Sequence, residues 1–451
     1  MNFKSKTSLQ QRTAHLLASL IEQMFPQARI GQVGIDRLGY FCEFTYSGSF
    51  DTSVLEMVER ELKSLVKTAE PFKLYEMVPV CAKVFLERYG KDDLASMVPG
   101  GKAPLQVIQL NSYCSIPQEP LTEGDFSNFV SLLSFSQENE MVRMHGVAHN
   151  TQEEQKAFLK AYRNYQNHSH QTIAEEMNLY SVTPQGTFWH PKGVLLKQRL
   201  LEKWRAFLCD RGFEEVEIPI GLEKNYLKET TRKAIFSLRE GKRDWVFSDN
   251  LFTSLQTLSE FTKIFDVETK WILISSGPKK EVSKLKQALK LSKIEAEVIE
   301  EGGWNPRIEA RFIDSLGRLW EGPQIELRKE GIFFSLFGEV DRLIALLLEK
   351  GLPFWLSPEQ AHLISFEGAD AKELTEILEE LNVRFKHDQK RAPLKEKIHR
   401  ALRMKVPYVI VFGRQEEKEK EISIRTYGSK RENKMKIEDL KHFLLSRKTE
   451  V

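Results

Sequence analysis

Cysteine is scarce in this chain. The four residues present, Cys42, Cys81, Cys114 and Cys209, lie far apart with no Cys-x-x-Cys pair. That excludes a disulfide framework or a cysteine-rich zinc site and fits a reducing compartment. No apolar run approaches the ~18 residues of a membrane span. Lys4 and Lys6 stand near the N-terminus, but Gln, Arg, His and Glu interrupt the stretch beyond them, so the segment reads as an amphipathic helix and not as a signal peptide. Charge of one sign is lacking too. Lys and Arg number 66 against 64 Asp and Glu, a net charge of +2. No global basic field points to nucleic acid, and any such site must be a local patch. A cytosolic protein is expected.

What is present is a globular composition. Hydrophobic residues make up 41% and charged residues 29% of the 451, which excludes a disordered chain. At ~150 residues per domain the length implies about three domains, expected over residues 1–178, 179–350 and 351–451.

The chain is organised around residues 180–220. A loop with Pro184 and Gly186 leads to Phe188-Trp189-His190-Pro191-Lys192-Gly193. Leu196, Leu200, Trp204, Phe207 and Leu208 then recur at helical spacing, on one face. Gly212 suits the left-handed position that ends a helix. Val216 and Ile218 alternate with acids up to Pro219, as in a half-buried strand.

On either side the pattern alternates between helix and strand. A helix is expected over 8–25, with Leu16, Leu17, Leu20, Ile21 and Met24 on one side and Pro26 as its stop. Strands over 29–33 and 40–46, a helix over 54–67 and a helical connector over 152–179 come next. In the middle, 271–274, 285–291 and 295–299 read as strand, helix and strand. The polar stretch holding Arg232, Arg239 and Arg243 reads as a solvated surface helix. After a linker over 354–358, strands are expected at 363–366, 383–386, 407–412 and 422–426. Helices are expected around Leu374–Leu381, over 394–404 and over 437–445. That alternation implies an α/β layer with a mostly parallel sheet.

The central stretch resembles motif 1 of class II aminoacyl-tRNA synthetases, in the form found in threonyl-tRNA synthetases. It does so through the Phe188-to-Gly193 phrase, the helix and Glu215-Val216-Glu217-Ile218-Pro219. The resemblance implies a homodimer interface ending at Pro219; the plain alternative is a helix–strand pair in a core. Gly338-Glu339-Val340-Asp341-Arg342-Leu343-Ile344 resembles motif 3, whose arginine packs over the nucleotide. Gly303-Trp304-Asn305-Pro306-Arg307-Ile308-Glu309 and Gly317-Arg318-Leu319-Trp320-Glu321-Gly322-Pro323-Gln324-Ile325-Glu326-Leu327 resemble the sheet segments that line the family's ligand pocket. In the family ATP is held by arginines of motifs 2 and 3, and a zinc binds the substrate threonine. Here no motif 2 phrase is found, no cysteine comes after Cys209, and Phe333 falls at the place of the last zinc-ligating histidine. Arg342 stands as an ion-pair partner or a residual anion site. ATP and zinc are expected in the family, but their ligands are largely missing here, and no metal is expected.

The first domain resembles the editing domain of threonyl-tRNA synthetases through Thr13-Ala14-His15-Leu16-Leu17, Met24-Phe25-Pro26, Gly39-Tyr40-Phe41 and the connector ending Met177-Asn178-Leu179-Tyr180. The chain is expected to begin where that domain begins, without the ubiquitin-like domain that precedes it in the family. The family's site has paired histidines on the first helix, and a Cys and a His four residues apart later on. Here those positions hold Gln11, His15, Cys114 and Gln118, with Ser112 at the acid position. Glutamine neither binds transition metals well nor acts as a base, so His15 and Cys114 read as remnants in a polar cleft.

The last domain resembles the anticodon-binding domain shared by threonyl-, prolyl-, histidyl- and glycyl-tRNA synthetases. Phe354-Trp355-Leu356-Ser357-Pro358-Glu359-Gln360, Lys397-Ile398, Val406-Pro407-Tyr408, Val411-Phe412-Gly413 and Ile424-Arg425-Thr426 carry it. Glu416 and Arg425 stand at base-reading positions and Arg391 replaces an asparagine. A carboxylate and a guanidinium suit unstacked base edges. Lys390, Arg391, Lys395, Lys397, Arg400, Arg403 and Lys405 form a basic run suited to RNA.

The expected fold class is therefore a multidomain combination of α/β and α+β, with an editing-like α+β domain, a shortened antiparallel synthetase core and an α/β anticodon-binding domain. The expected function is tRNA binding, threonine tRNA first, without aminoacylation, as a homodimer or beside a full-length synthetase. The alternatives are a threonine-tRNA ligase using an arginine from 232–243, a deacylase using His15 and Cys114, and a protein-binding regulator.

Overall fold

Residues 13–21 are buried without a break. They belong to the helix Phe3–Met24, which packs on the four-stranded antiparallel sheet beside the helix Thr52–Thr68. Apolar side chains therefore recur all round it, and the amphipathic helix expected from the sequence is instead a core helix. This computed structural model describes residues 3–167, 169–216, 233–240, 243–300, 305–329, 331–429 and 431–449. The chain divides into two compact units, Met1–Arg163 and Asn164–Val451.

In the first unit the sheet runs, in spatial order, Ile30–Ile35, Tyr40–Thr45, Met141–His149 and Phe129–Glu138, each antiparallel to its neighbour. A three-stranded sheet of Lys73–Met77, Leu105–Leu110 and Tyr113–Ser115 lies under the short helices Pro79–Arg88 and Asp92–Met97. Asp51 caps the helix Thr52–Thr68, accepting from the amides of Ser53 and Val54 at 2.9 and 3.0 Å. Such a cap satisfies donors the helix itself cannot.

In the second unit the stretch from Tyr180 opens as a hairpin, Tyr180–Thr183 and Gly186–Trp189, where a loop was expected. The helix Pro191–Cys209 comes after it and buries the five apolar residues that the spacing singles out. Gly193 has a steric reason: a Cβ there would stand 2.2 Å from the carbonyl oxygen of Leu179. Gly212 has φ +74°, so the chain turns back after the helix as expected. The strand Glu214–Val216 comes next. Ile218, Pro219, Arg232, Gly303 and Trp304 lie outside the described residues.

Among the described residues the large sheet holds nine strands. In spatial order eight of them are Glu214–Val216, Lys233–Glu240, Arg243–Ser248, Gly331–Ser335, Gln324–Arg328, Arg307–Ile313, Thr269–Ile274 and Glu297–Ile299; Leu319–Trp320 pairs beside Arg307–Ile313. Only the outermost pair at each end is parallel. The stretch expected as a solvated helix is thus an antiparallel strand pair inside the sheet. One face carries Val246, Leu273, Ile308, Ala310, Phe312, Ile325 and Phe334 into a core with the helices Pro191–Cys209, Leu251–Ile264, Lys279–Leu291 and Val340–Lys350. Gly338, with φ +66°, lets the last of these helices start against the backbone of Gly322, whose oxygen would be 2.7 Å from an added Cβ.

A separate core forms around the five-stranded sheet of Phe385–Asp388, Ala361–Ser365, Tyr408–Phe412, Glu421–Thr426 and Glu432–Lys436. The first three strands are mutually parallel, and the last two are added antiparallel. The sheet is therefore mixed. The central strand Tyr408–Phe412 is buried throughout, as its unbroken apolar run requires. Helices Lys372–Glu380, Leu394–Arg403, Arg414–Glu419 and Ile437–Thr449 cover it.

Candidate nucleic-acid interface

The C-terminal ends of the parallel strands meet along one edge of the five-stranded sheet. Ile364 pairs with Asp388 and Ser365 with Phe412. The turn after Asp388 and the helix start after Gly413 therefore lie at the same edge. Asp388 organises the first of these. Its side chain is buried at 1% exposure. Oδ1 accepts from the Lys390 amide at 3.0 Å, Oδ2 accepts from Arg400 Nη2 at 2.5 Å, and Lys397 Nζ donates to its carbonyl oxygen at 3.0 Å. Burial favours the neutral acid, but the Lys390 amide and the charges of Lys397 and Arg400 outweigh it and hold the carboxyl at about 2. The fully buried His362 adds a contact of Nε2 to Oδ2 at 3.6 Å and is held on its other nitrogen by Glu359 at 2.5 Å.

The basic run is consequently not one face. Lys397 turns inward to Asp388, Lys405 is buried against the carbonyl of Glu349, and Arg400 is committed to Asp388. Burial brings the Lys405 amine down to about 8. Lys390, Arg391, Lys395 and Arg403 remain exposed. Sequence periodicity sees the charges of the helix Leu394–Arg403 but not the carboxylate that collects half of them. Asp388 is the residue organising this turn that sequence reasoning misses; its signal is an acid heading the turn Asp388-Gln389-Lys390-Arg391 before a helix.

Glu416 lies at the same edge as Arg391. Its carboxylate accepts from the Gly413 amide at 3.0 Å and so caps the helix Arg414–Glu419. Arg425 is placed further along the sheet, opposite Val409, and its Nη2 donates to Glu432 at 2.5 Å. The structure thus brings Lys390, Arg391 and Glu416 to one edge and sets Arg425 along the neighbouring strand.

The second face of the large sheet carries the segments that resemble a ligand pocket. Glu309 is 4% exposed and sits between two guanidiniums, Arg307 Nε at 2.6 Å and Arg311 Nε at 2.8 Å. Its burial opposes ionisation, yet the Arg307 and Arg311 contacts keep its pKa below the usual value. Beside it Glu326 accepts from Asn305 Nδ2 and Arg328 Nε, each at 2.9 Å. The Arg328 guanidinium lies over the rings of Trp245 and Phe333, 4.6 and 4.8 Å from their centroids. Phe333 is fully buried against Phe247 and offers no metal donor. Among the described residues no group of three His, Cys, Asp or Glu is placed to hold a metal ion. Arg342 pairs with Glu339 at 3.3 Å and lies over Trp320, 5.1 Å from its centroid. It borders a cavity of about 320 Å³ whose other charges are paired as well: Lys197 with Asp341, His170 with Glu349 and Arg318 with Asp314.

In the first unit His15 is fully buried, and its Nδ1 meets the Tyr113 hydroxyl at 2.8 Å. Burial brings the imidazole down to about 4, which leaves it neutral. Cys114 adjoins Tyr113 on the same strand and so faces the other way, into the cluster of Ala82, Leu86, Ala95 and Val107. Burial pushes its thiol up to about 11. The structure does not bring these two side chains together. Gln11 is at the surface, with Nε2 3.4 Å from Glu119 Oε2.

Comparisons agree with this architecture. Residues 359–447 match the family described as anticodon binding domain. The threonine-tRNA ligase of Desulforamulus reducens is 23% identical over 551 residues, covering 94% of this chain and 86% of that protein. That of Clostridium kluyveri is 21% identical over 572 residues, covering 99% and 89%. The RNA binding domain of threonyl-tRNA synthetase from Cryptosporidium parvum Iowa II superposes with a TM-score of 0.51 at 19% identity, covering 62% of this chain and 98% of that one. The C-terminal part thus resembles an anticodon-binding domain of the class II synthetase type. The chain as a whole is threonyl-tRNA synthetase-like, with mixed α/β architecture. Among the described residues no helix is long and apolar enough to cross a membrane.

Proposed function

We propose that this chain binds tRNA, threonine tRNA first, through its anticodon-binding domain and does not activate an amino acid. The observation that carries the reading is the second face of the large sheet. On the segments that resemble the lining of a synthetase's ligand pocket, Arg307, Arg311 and Arg328 are engaged by Glu309, Glu326 and aromatic rings. A phosphate would have to displace buried carboxylates that already neutralise the site, at a cost that strong ion pairing makes large. The alignment to the D. reducens ligase also runs over 551 residues against 451 in this chain, so the ligase carries stretches without a counterpart here.

RNA binding rests on Lys390, Arg391 and Glu416 at one edge and on Arg425 further along the sheet, opposite Val409. The turn is fastened from below by Asp388, so the backbone that carries its cations is already ordered. Three functional domains, over residues 1–178, 179–350 and 351–451, belong to the same reading. So does dimerisation, with itself or with a full-length synthetase, in the cytoplasm. Phe188, Leu195 and Val194 support dimerisation: they are large apolar side chains left exposed on the hairpin and the helix Pro191–Cys209, at 61, 42 and 41%.

Two assays on the purified protein test the reading. Threonine- and ATP-dependent pyrophosphate exchange is expected at the buffer background, while cellular tRNA is retained and threonine tRNA is enriched among the bound species. Turnover above background would overturn the first half. Retention that ignores tRNA identity and vanishes with salt would overturn the second.

A further inference from the structure

The helix Phe3–Met24 of the first unit runs out into Met24-Phe25-Pro26, a phrase that RNA binding leaves without a role. Beside it lies a cavity of about 480 Å³. Met24, Phe25, Ala28 and Tyr46 give the cavity its apolar lining, and Arg29 and Glu140 its charges. The rings of Phe25 and Tyr46 meet edge to face, with centroids 5.2 Å apart. Phe44 stacks on Phe25 at 6.4 Å, and Phe50 meets Tyr46 at 6.1 Å. The two lining rings are therefore held in place from the core.

The sheet sets the positions of the charges. Arg29 precedes the strand Ile30–Ile35, Tyr46 follows Tyr40–Thr45, and Glu140 precedes Met141–His149. These three strands are neighbours, with Tyr40–Thr45 in the middle. The Thr45 amide donates to the Arg29 carbonyl at 2.9 Å, and the Tyr46 amide donates to the Glu140 carbonyl at 2.7 Å. The Arg29 amide donates in turn to Thr45 Oγ1 at 3.1 Å. The backbones of Arg29 and Glu140 are thus fixed on opposite sides of the middle strand, about 10 Å apart at two strand spacings. Both residues are exposed, and neither forms an ion pair among the described residues.

This pair of charges restricts what the cavity can hold. A plain anion drawn to Arg29 meets the carboxylate of Glu140, and a plain cation drawn to Glu140 meets Arg29. A ligand that carries both signs answers both. The guanidinium fork suits a carboxylate, and the Glu140 carboxylate suits an ammonium group. The aromatic and aliphatic lining is left for an apolar side chain.

We propose that this cavity binds a free amino acid with a large apolar or aromatic side chain, its carboxylate on Arg29 and its ammonium on Glu140. The site is distinct from the surroundings of His15, which lies about 13 Å back from Met24 along the same helix. It goes beyond RNA binding and does not depend on it.

Calorimetric titration of the full chain tests the site with three probes. These are L-phenylalanine, its amide, which lacks the carboxylate, and its N-acetyl derivative, which lacks the ammonium. L-Phenylalanine should bind saturably, and each derivative about tenfold more weakly or worse, for the loss of one charge-assisted contact. Arg29→Ala and Glu140→Ala should each weaken L-phenylalanine by a similar factor. Arg29→Ala should cost the amide nothing further, and Glu140→Ala should cost the N-acetyl derivative nothing further, because each probe already lacks the matching group. Both altered residues are exposed, so an unchanged melting midpoint separates loss of ligand from loss of fold. Lys67→Ala, which removes an exposed charge from the helix Thr52–Thr68, should leave all three titrations as they are.

The absence of saturable L-phenylalanine binding up to about 10 mM overturns the site. So does an amide or N-acetyl derivative that binds as tightly as the amino acid. Binding of L-phenylalanine that survives either Arg29→Ala or Glu140→Ala overturns it as well.

Discussion

Two places in the second unit gather arginines and carboxylates, and they do opposite things with them. On the face of the large sheet, Glu309 and Glu326 sit among Arg307, Arg311 and Arg328, and the group closes on itself under aromatic cover. At the edge of the five-stranded sheet, Asp388 gathers Lys397 and Arg400 below, so that Lys390 and Arg391 stand free above. The residue types are the same. What differs is whether each carboxylate engages all the cations around it or only the inner ones, leaving the outer ones to solvent. An ion-pair lattice that engages all its cations is structure. One that leaves cations over is a candidate surface for an anion.

The strongest way to break the comparison is to remove the two carboxylates. Glu309→Ala and Asp388→Ala each take a buried carboxylate away from two neighbouring cations, and each is expected to lower stability by about 3 kcal/mol in chemical denaturation. The comparison predicts a further split. Asp388→Ala, assayed where it is still folded, should also weaken tRNA binding, whereas Glu309→Ala should not. Equal binding by both would show that the turn needs no support from Asp388.

A second effect, on the order of 3 kcal/mol, comes from the first unit, where a titratable side chain is buried without any charge partner. His15 is neutral when folded, with a pKa of about 4 against 6.5 when unfolded. The unfolded chain therefore binds the extra proton between those values, and stability contributed by the neutral form is lost as pH falls from about 6.5 to about 4. Thermal unfolding of the protein and of His15→Gln across this window checks it. The variant should show the shallower dependence on pH, at some cost in stability at neutral pH.

The smallest effect on stability sharpens the comparison most. Lys390→Ala and Arg391→Ala remove exposed charges with no inner partner, so unfolding should change by no more than about 0.5 kcal/mol. Their tRNA affinity should nonetheless fall, and with it the salt slope, by about 0.7–0.9 for each phosphate no longer neutralised. Binding that is indifferent to both would remove the turn from the interface.

Much of the backbone is legible in the sequence. The helix Pro191–Cys209 can be read because its apolar spacing is long and ends at a glycine that takes positive φ. The strand Tyr408–Phe412 can be read because five apolar residues in a row have few other uses in a short segment. The pair Lys233–Glu240 and Arg243–Ser248 reads wrongly as a helix. Ala234, Phe236 and Leu238 do recur at every second residue, but mixed charges around them hide the alternation. The second-residue rhythm is the signal available, with Gly241 after it as a turn cue.

Local pattern by itself determined long periodic elements such as the helix Pro191–Cys209 and the strand Tyr408–Phe412, and the likeness to a threonyl-tRNA synthetase with an anticodon-binding domain, because these depend on residues near one another in the chain. Only the tertiary structure decided which charges are available. Arg328 meets Trp245 across strands, and Lys405 reaches back to Glu349 from a different element. Whether a guanidinium is a neutralised strut or a waiting anion site is settled by its partners in space and by the low dielectric around them. No reading of neighbours along the chain contains either.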